Sequence, residues 1–193
     1  ETGRGMKAID LTHIITEDMP VYPGTEPPKL TPANSYEKDG FRETLLSLYT
    51  HTGTHIDPPA HIFPDGRTLD EFPPEQFIGK ALVIDCRGIK AGGAITLSHI
   101  ERYGEKAGKA DFLLFNLGWD RLWGMEAYFG DYPCLDDAAL GLIIGGGYKG
   151  IGFDVIGLDP ISDVNLTRHR RLFSSCDIIN IENLCNLDKC GDG

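Results

Sequence analysis

The sequence predicts a single α/β domain. Three short apolar runs rich in β-branched or aromatic residues have the character of buried strands, at 81–86, 111–117 and 150–156. Segments with helical periodicity lie between these runs, and this alternation is typical of α/β domains. The chain has 193 residues, of which 41% are hydrophobic and 24% charged, so it can bury a core without help from disulfide bridges.

The part of the chain before the first of these strands is predicted to be less regular. The N-terminal segment is expected to be extended and loop-like, because proline fixes φ and removes a backbone donor. Its prolines are Pro20, Pro23, Pro27, Pro28 and Pro32. The segment 41–50 alternates only in part between apolar and polar side chains, which predicts a strand that leads directly into a cluster of histidines.

Three helices are predicted between and after the buried strands. The first begins near Ser98, because Ser98 and Glu101 have the spacing of a capping box. The second covers 135–144, and the third covers 166–175 with His169 on the face expected to be buried. The glycines at 145–147 lack the spacing of a phosphate-binding loop and predict a turn.

Charge and composition exclude several classes of partner. The chain has 29 acidic and 18 basic residues, a net charge of −11, whereas nucleic-acid binding needs a basic surface. No apolar stretch approaches the roughly 18 to 20 residues of a membrane-spanning helix, so no membrane partner is expected. No signal peptide is recognisable and the five cysteines lack the spacing of a zinc site, so we expect a cytoplasmic protein with reduced thiols.

A dense cluster of histidines carries the main chemical information. Three of the six histidines and one carboxylate lie in the segment 51–61, HTGTHIDPPAH. Imidazole and carboxylate together suit Zn, Mn or Fe(II), and a set of two histidines and one aspartate leaves coordination positions open for water. A straight strand would separate His51 from Asp57 by about 20 Å, so one ion can contact both only if the chain folds back, and Gly53 is the expected hinge. Surface-loop or core histidines without a metal are the alternative.

Two residues outside this cluster could complete a metal site. His169 lies on the expected buried face of the third helix, and its residue type suits a ligand. Glu182 lies within the largely apolar run 178–184, where a carboxylate needs a partner such as a cation in order to be buried. A histidine satisfied in the core and an exposed glutamate are the alternatives.

The segment 51–61 resembles the signature H-x-G-T-H-x-D-x-P-x-H of the putative cyclase family, which includes bacterial kynurenine formamidases and isatin hydrolases. The similarity covers nearly the whole chain. It continues at 20–24 (PVYPG), Gly118-Trp119, 152–154 (GFD), Asp159-Pro160, His169 and 181–184 (IENL).

The resemblance implies a fold of the swivelling β/β/α type, a single domain with a barrel-like mixed sheet and flanking helices, assembled as a homodimer or homotetramer. It also implies one or two divalent ions per chain, Zn or Mn, with His61 as the proton-transfer group. The ligands that it implies are His51, His55 and Asp57 for one ion, with His169 and Glu182 for a second.

We have two further expectations about the ends of the chain. Residues 1–5 precede Met6, a candidate initiator, and are expected to be an expression remnant before a domain that covers 6–193. Members of the family usually continue beyond the Glu-Asn-Leu segment with a final strand. By the resemblance, this chain therefore either lacks that strand after Gly193 or covers the edge of its sheet differently.

The activity implied by the resemblance is metal-dependent hydrolysis of the carbon–nitrogen bond of a small aromatic amide. The expected reaction converts N-formylkynurenine to kynurenine and formate, with His61 taking a proton from water and returning it to the leaving nitrogen. Opening of an isatin-type cyclic amide is the alternative within this class. A metal-dependent cyclase or lyase, and last a non-catalytic metal-dependent binding module, are the alternatives outside it.

Two further observations from the residues bear on this activity. The sequence has no G-x-S-x-G elbow and no cysteine paired by position with a histidine, so it offers no competing nucleophile. Aromatic side chains could form a flat apolar pocket for a substrate ring, although each is as readily a core residue. The candidates are Tyr22, Phe63 and Trp119, with Trp123 as a fourth.

Overall fold

The computed structural model describes residues 7–191, so the expectation for residues 1–5 lies outside the described chain. The strands are β1 (Lys29–Asn34), β2 (Glu43–Ser47), β3 (His55–Asp57), β4 (Ala81–Asp85), β5 (Ala94–Ile95), β6 (Phe112–Asn116), β7 (Cys134–Leu135), β8 (Gly150–Phe153) and β9 (Ile179–Glu182). The α-helices are α1 (Tyr36–Asp39), α2 (Leu97–Glu101), α3 (Glu105–Gly108), α4 (Asp137–Gly145) and α5 (Thr167–Phe173). Short 3₁₀ helices occupy Pro59–His61, Leu69–Glu71, Pro74–Phe77, Trp119–Leu122, Glu126–Phe129 and Leu187–Cys190.

Five strands form a mixed sheet in the order β3-β9-β8-β6-β4. Neighbours from β4 to β9 are parallel, and β3 is antiparallel to β9. The three predicted strands are confirmed as β4, β6 and β8, but in β4, at the edge of the sheet, only Leu82 and Ile84 are buried. All five residues of β6 and all four of β8 are buried, as expected for parallel strands covered on both faces. The predicted α/β class, with a mixed sheet and flanking helices, is confirmed.

The side chains of β6 divide between two hydrophobic clusters, one on each face of the sheet. Leu113 and Phe115 pack into the larger cluster, which also contains buried side chains of α2, α4 and α5. Phe112 and Leu114 pack into a smaller cluster on the other face with Phe72. This alternation follows from the two-residue period of a strand and leaves the central sheet without a solvent-exposed face at β6.

The predicted helices are present, with corrected ends. The capping box of α2 is formed by Thr96 and His99, not by Ser98 and Glu101, because the N-cap lies two residues earlier than predicted. The side chain of Asp136 accepts a hydrogen bond from the Ala139 amide and caps α4, which ends at the predicted glycine turn. In α5 the buried residues are His169, Leu172 and Phe173, so His169 does lie on the buried face.

The proline-rich N-terminal segment is not wholly loop-like, because it contains β1. This strand pairs antiparallel with β2 in a hairpin that pairs with no other strand of the described chain. Pro32 is tolerated in β1 because the strand lies at an edge and its register shifts between Pro32 and Asn34. Leu45 and Leu46 of β2 are 62% and 51% exposed, so the hairpin presents apolar side chains to solvent on both of its faces.

Two further expectations concern membrane-spanning helices and the state of the cysteines. None of the helices between residues 7 and 191 combines the length and hydropathy that a membrane crossing requires. The five cysteines are all free thiols, and three of them, Cys86, Cys134 and Cys185, are buried.

Close packing around β8 supports a stability prediction. A Cβ atom at Gly152 would lie 2.7 Å from Leu184 Cδ1 and 2.8 Å from Leu114 Cδ2. Gly152→Val is therefore expected to lower the free energy of unfolding by about 1–3 kcal/mol through overpacking, measured by chemical denaturation. Gly145→Ala is the matched control, because a Cβ there meets no atom within 4 Å, and it should leave stability unchanged or raise it. Equal stability of Gly152→Val and wild type would contradict this packing.

Candidate metal centre

The histidine-rich segment folds back on itself at Gly53. The φ of Gly53 is +65°, in the left-handed region that favours glycine. Beyond this reversal the chain forms β3 and then the 3₁₀ helix Pro59–His61. Nδ1 of His51 lies 2.6 Å from Oδ1 of Asp57, although a straight strand would hold these residues about 20 Å apart. The predicted fold-back at Gly53 is confirmed.

Pairing between β3 and β9 brings further ligand-type side chains to the same face of the sheet. In this antiparallel register His55 is opposite Glu182, and Asp57 is opposite Asn180. Alternate residues of a strand share a face, so these four side chains form one group. Nε2 of His55 lies 3.1 Å from Asp57 Oδ1 and 3.6 Å from Glu182 Oε2.

Helix α5 supplies His169 from the other side of the two carboxylates. Its Nε2 lies 3.2 Å from Glu182 Oε1 and 3.5 Å from Asp57 Oδ2. Its Nδ1 lies 2.7 Å from Oδ2 of buried Asp159, which also accepts hydrogen bonds from the backbone amides of Arg168 and His169. Asp159 therefore anchors the first turn of α5 and directs Nε2 of His169 toward the centre.

The two carboxylates of the centre share a donor. Nδ2 of Asn180 donates to Asp57 Oδ2 at 3.1 Å and to Glu182 Oε1 at 2.9 Å. The amide of Leu158 also donates to Glu182 Oε1, at 2.9 Å. Asp57 and Glu182 are 1% and 5% exposed, so each buried carboxylate depends on these donors.

His61 lies beside the centre on its short 3₁₀ helix. Its ring centroid is 3.9 Å from that of His51 and 6.0 Å from that of His169. Burial lowers the pKa of His61 to about 4, despite the neighbouring carboxylate of Asp57. The imidazole is therefore neutral at pH 7, and one of its ring nitrogens is free to accept a hydrogen bond.

The donor atoms of the centre suit a divalent cation. Two groups place all their ligand atoms within 4.8 Å of one another: His51, Asp57 and His61, and His55, Asp57 and Glu182. Nε2 of His55 is buried and makes no well-formed hydrogen bond to any described residue, as expected of a ligand atom. Imidazole nitrogens and carboxylate oxygens in this mixture are typical of Zn, Mn or Fe(II) sites. Because Asp57 belongs to both groups, the residues offer two neighbouring positions joined by one carboxylate.

The charges of the centre also favour a cation. Burial opposes ionisation of Asp57, but the adjacent imidazoles of His169, His51 and His55 hold the pKa of its carboxyl well below the usual range. Burial, reinforced by the charge of Asp57, raises the pKa of Glu182. Burial lowers the pKa of His55, but Asp57 outweighs it and raises that pKa to about 9. Positive charge is thus favoured between the two carboxylates, where a metal ion can supply it.

A cavity of about 450 Å³ opens beside this centre, a size suited to a small ligand. The predicted histidines His51, His55, His61 and His169 line it with Glu182 and Tyr22. Phe63 and Trp119 do not line this cavity. Phe63 borders a separate surface groove, and Trp119 packs against the main core with its Nε1 donating to the Tyr128 carbonyl. Trp123 does not line the cavity either and stacks on His13, so Tyr22 alone of the four predicted pocket aromatics is brought to the site.

The sequence indicated no role for three residues that the structure places around the candidate ligands: Asp159, Asn180 and Asn183. Asp159 and Asn183 lie in segments that resemble the family. The resemblance marks these residues as important but does not indicate what they do chemically. Asn180 stands two residues before Glu182 in a strand, so its place on the same face follows once that strand is known.

The sequence pattern of the putative cyclase family matches residues 9–160, most of the chain. The chain belongs to the putative cyclase family. This confirms the resemblance of the segment 51–61, and the matched residues also include the similar segments from 20–24 to the Asp159-Pro160 pair.

Individual family relatives agree with this assignment. A kynurenine formamidase from Geobacillus thermodenitrificans is 28% identical over 177 residues, which cover 91% of this chain and 81% of that protein. Isatin hydrolase A from Labrenzia aggregata shares the fold, with a TM-score of 0.81 at 24% identity over 94% of this chain and 81% of its own. A Bacillus stearothermophilus protein described as a "predicted metal-dependent hydrolase" has a TM-score of 0.69 at 26% identity, covering 96% and 85% of the two chains.

The metal content of two variants distinguishes Asp57, which belongs to both groups, from Glu182, which belongs to one. Asp57→Asn removes the carboxylate common to both groups and is expected to abolish binding of Zn²⁺ or Mn²⁺, whereas Glu182→Gln weakens only one group and should retain part of the metal. Elemental analysis of protein reconstituted and then freed of excess ion measures both. Glu126→Gln, at an exposed position, is the matched control and should keep wild-type content. Full metal content in Asp57→Asn would contradict the role of Asp57.

Proposed function

We propose that this chain is an arylformamidase-type hydrolase that converts N-formylkynurenine to kynurenine and formate. The observation that carries the proposal is the group of imidazoles and carboxylates around Asp57, which lines a cavity large enough for a small aromatic amide. The 28% identity with a kynurenine formamidase over 91% of this chain supports the choice of substrate.

A divalent cation at this centre would polarise the amide carbonyl and make a water molecule acidic enough to attack near neutral pH. We propose His51, His55 and Asp57 as ligands of one ion, and His169 and Glu182 as further ligands when a second is bound. Zn and Mn are the proposed ions, because both accept this mixture of nitrogen and oxygen donors.

His61 is the proposed proton-transfer residue. Its neutral imidazole accepts the proton that water loses as the water oxygen bonds to the carbonyl carbon. The carbon–nitrogen bond then breaks, and His61 returns the proton to the nitrogen, which departs as the free amine. Because His61 also belongs to one of the two groups of possible ligands, its role is open to a direct test.

The cavity walls provide the proposed contacts to an aromatic ring. Tyr22, Val21, Ile156 and Leu166 line the cavity together with the histidines. Apolar and aromatic walls with a few polar groups at one end are typical of sites for small organic ligands. Tyr22, which is 38% exposed, is the proposed aromatic contact.

Turnover of two substrates by wild type and His61→Ala tests this function. Wild type is expected to release formate from N-formylkynurenine, with one oxygen from the solvent, and His61→Ala should lose about 10²- to 10⁴-fold in kcat while retaining its metal. Loss of metal in His61→Ala would make His61 a ligand. Preferential opening of isatin would favour the cyclic-amide alternative. A product that contains no oxygen from the solvent would favour a lyase. No turnover of either substrate would contradict the proposed activity.

We also propose that the protein acts as a cytoplasmic homo-oligomer. An isolated two-stranded hairpin is at best marginally stable in water, and Leu45 and Leu46 expose apolar surface on both faces of this one. The free cysteines suit a reducing compartment. Light scattering should give a mass of at least twice 21.2 kDa, and a monomer at micromolar concentration would contradict the proposal.

A further inference from the structure

Asn183 occupies a demanding position between the ligand-bearing segments. It directly follows Glu182 at the end of β9, lines the cavity and is 3% exposed. Its φ of +55° is in the left-handed region, which non-glycine residues rarely adopt and asparagine tolerates better than most. Neither the pairing of β9 nor the proposed ligand set requires an asparagine at this position.

The side-chain amide of Asn183 is held at both of its polar atoms. Nδ2 donates to the Gly53 carbonyl at 2.9 Å, and Oδ1 accepts from the buried Tyr128 hydroxyl at 2.7 Å. The Gly53 carbonyl can only accept a hydrogen bond, so Nδ2, and not Oδ1, must face it. Tyr128 is 0% exposed and its hydroxyl bond completes the fixed orientation of the amide.

The Gly53 carbonyl also determines how His55 is presented. It accepts a second hydrogen bond from Nδ1 of His55, at 2.8 Å. Because Nδ1 keeps its proton in order to donate to this carbonyl, a metal ion would take the place of the proton on Nε2, the buried atom 3.1 Å from Asp57 Oδ1. A ligand histidine needs this tautomer, and its partner at the other ring nitrogen sets the direction of the ring.

The backbone of Asn183 makes a second connection between the same two segments. Its carbonyl accepts a hydrogen bond from the Thr54 hydroxyl, and Thr54 immediately precedes His55. Its amide donates to the Val155 carbonyl at 2.9 Å. One residue thus joins the turn before His55 to the strand that carries Glu182.

We propose that Asn183 is a positioning residue for the metal centre, which fixes the Gly53 carbonyl and thereby the tautomer and direction of His55. This role rests on the proposed function, because it requires His55 to be a metal ligand. Asn183 acts through Gly53 and does not itself bind the ion.

Metal affinity tests this role with a readout other than activity. Asn183→Gly removes the amide but suits the left-handed backbone, so the fold should be retained. It is expected to bind Zn²⁺ about 10- to 100-fold more weakly than wild type in competition with a chromophoric chelator. The visible spectrum of the Co²⁺-loaded variant should also change, because the direction of the His55 ring changes.

Asn186→Gly is the matched control. Asn186 has a φ of +59°, and its Nδ2 donates to the Asp10 carbonyl at 2.9 Å, so it shares the conformation and the type of bond but lies outside the centre. This variant should bind Zn²⁺ within about twofold of wild type. Asn183→Asp keeps the shape of the side chain but turns an oxygen toward the Gly53 carbonyl, and it should be at least as weak as Asn183→Gly.

The possible results separate this inference from the function on which it rests. Zn²⁺ affinity and a Co²⁺ spectrum for Asn183→Gly that match those of Asn186→Gly would overturn the positioning role while leaving the metal site in place. Failure of the wild-type protein to bind Zn²⁺ or Co²⁺ would overturn both the metal site and the role of Asn183.

Discussion

The antiparallel pairing of β3 with β9 is the constraint on which the metal centre depends. It sets His55 opposite Glu182 and Asp57 opposite Asn180, so residues more than 120 positions apart in sequence share one face of the sheet. The parallel core fixes where β9 lies, because the glycines of β8 let the side chains of its neighbours approach closely. The geometry of the centre is thus a consequence of packing in the sheet.

Burial of two carboxylates in one place is costly, and the surrounding residues show how the fold accommodates it. Asn180 donates to both carboxylates, and Asp159 and the Gly53 carbonyl orient His169 and His55 from behind. These partners leave Nε2 of both histidines directed at the two carboxylates. A cation at that point would offset the repulsion between Asp57 and Glu182, and a centre of this kind is more stable loaded than empty.

The sequence predicted best where a single local pattern determines the structure. The strands β4, β6 and β8 were predictable because their runs are apolar, and the fold-back at Gly53 followed from the length of a straight strand. The pairing of β3 with β9 was not, because β3 has only three residues and β9 alternates polar with apolar side chains. Residue type likewise does not separate a core aromatic from a pocket wall, which is why Trp119 and Phe63 were candidates for a cavity that they do not line.

The central claim is that a divalent cation binds at the carboxylate of Asp57. Anomalous diffraction at the zinc edge, from crystals of protein reconstituted with Zn²⁺, tests it most directly. The structure predicts an anomalous peak in contact with an Asp57 oxygen, at the roughly 2.0–2.2 Å of a zinc–carboxylate bond. A map from reconstituted protein with no peak in contact with Asp57 would contradict the claim.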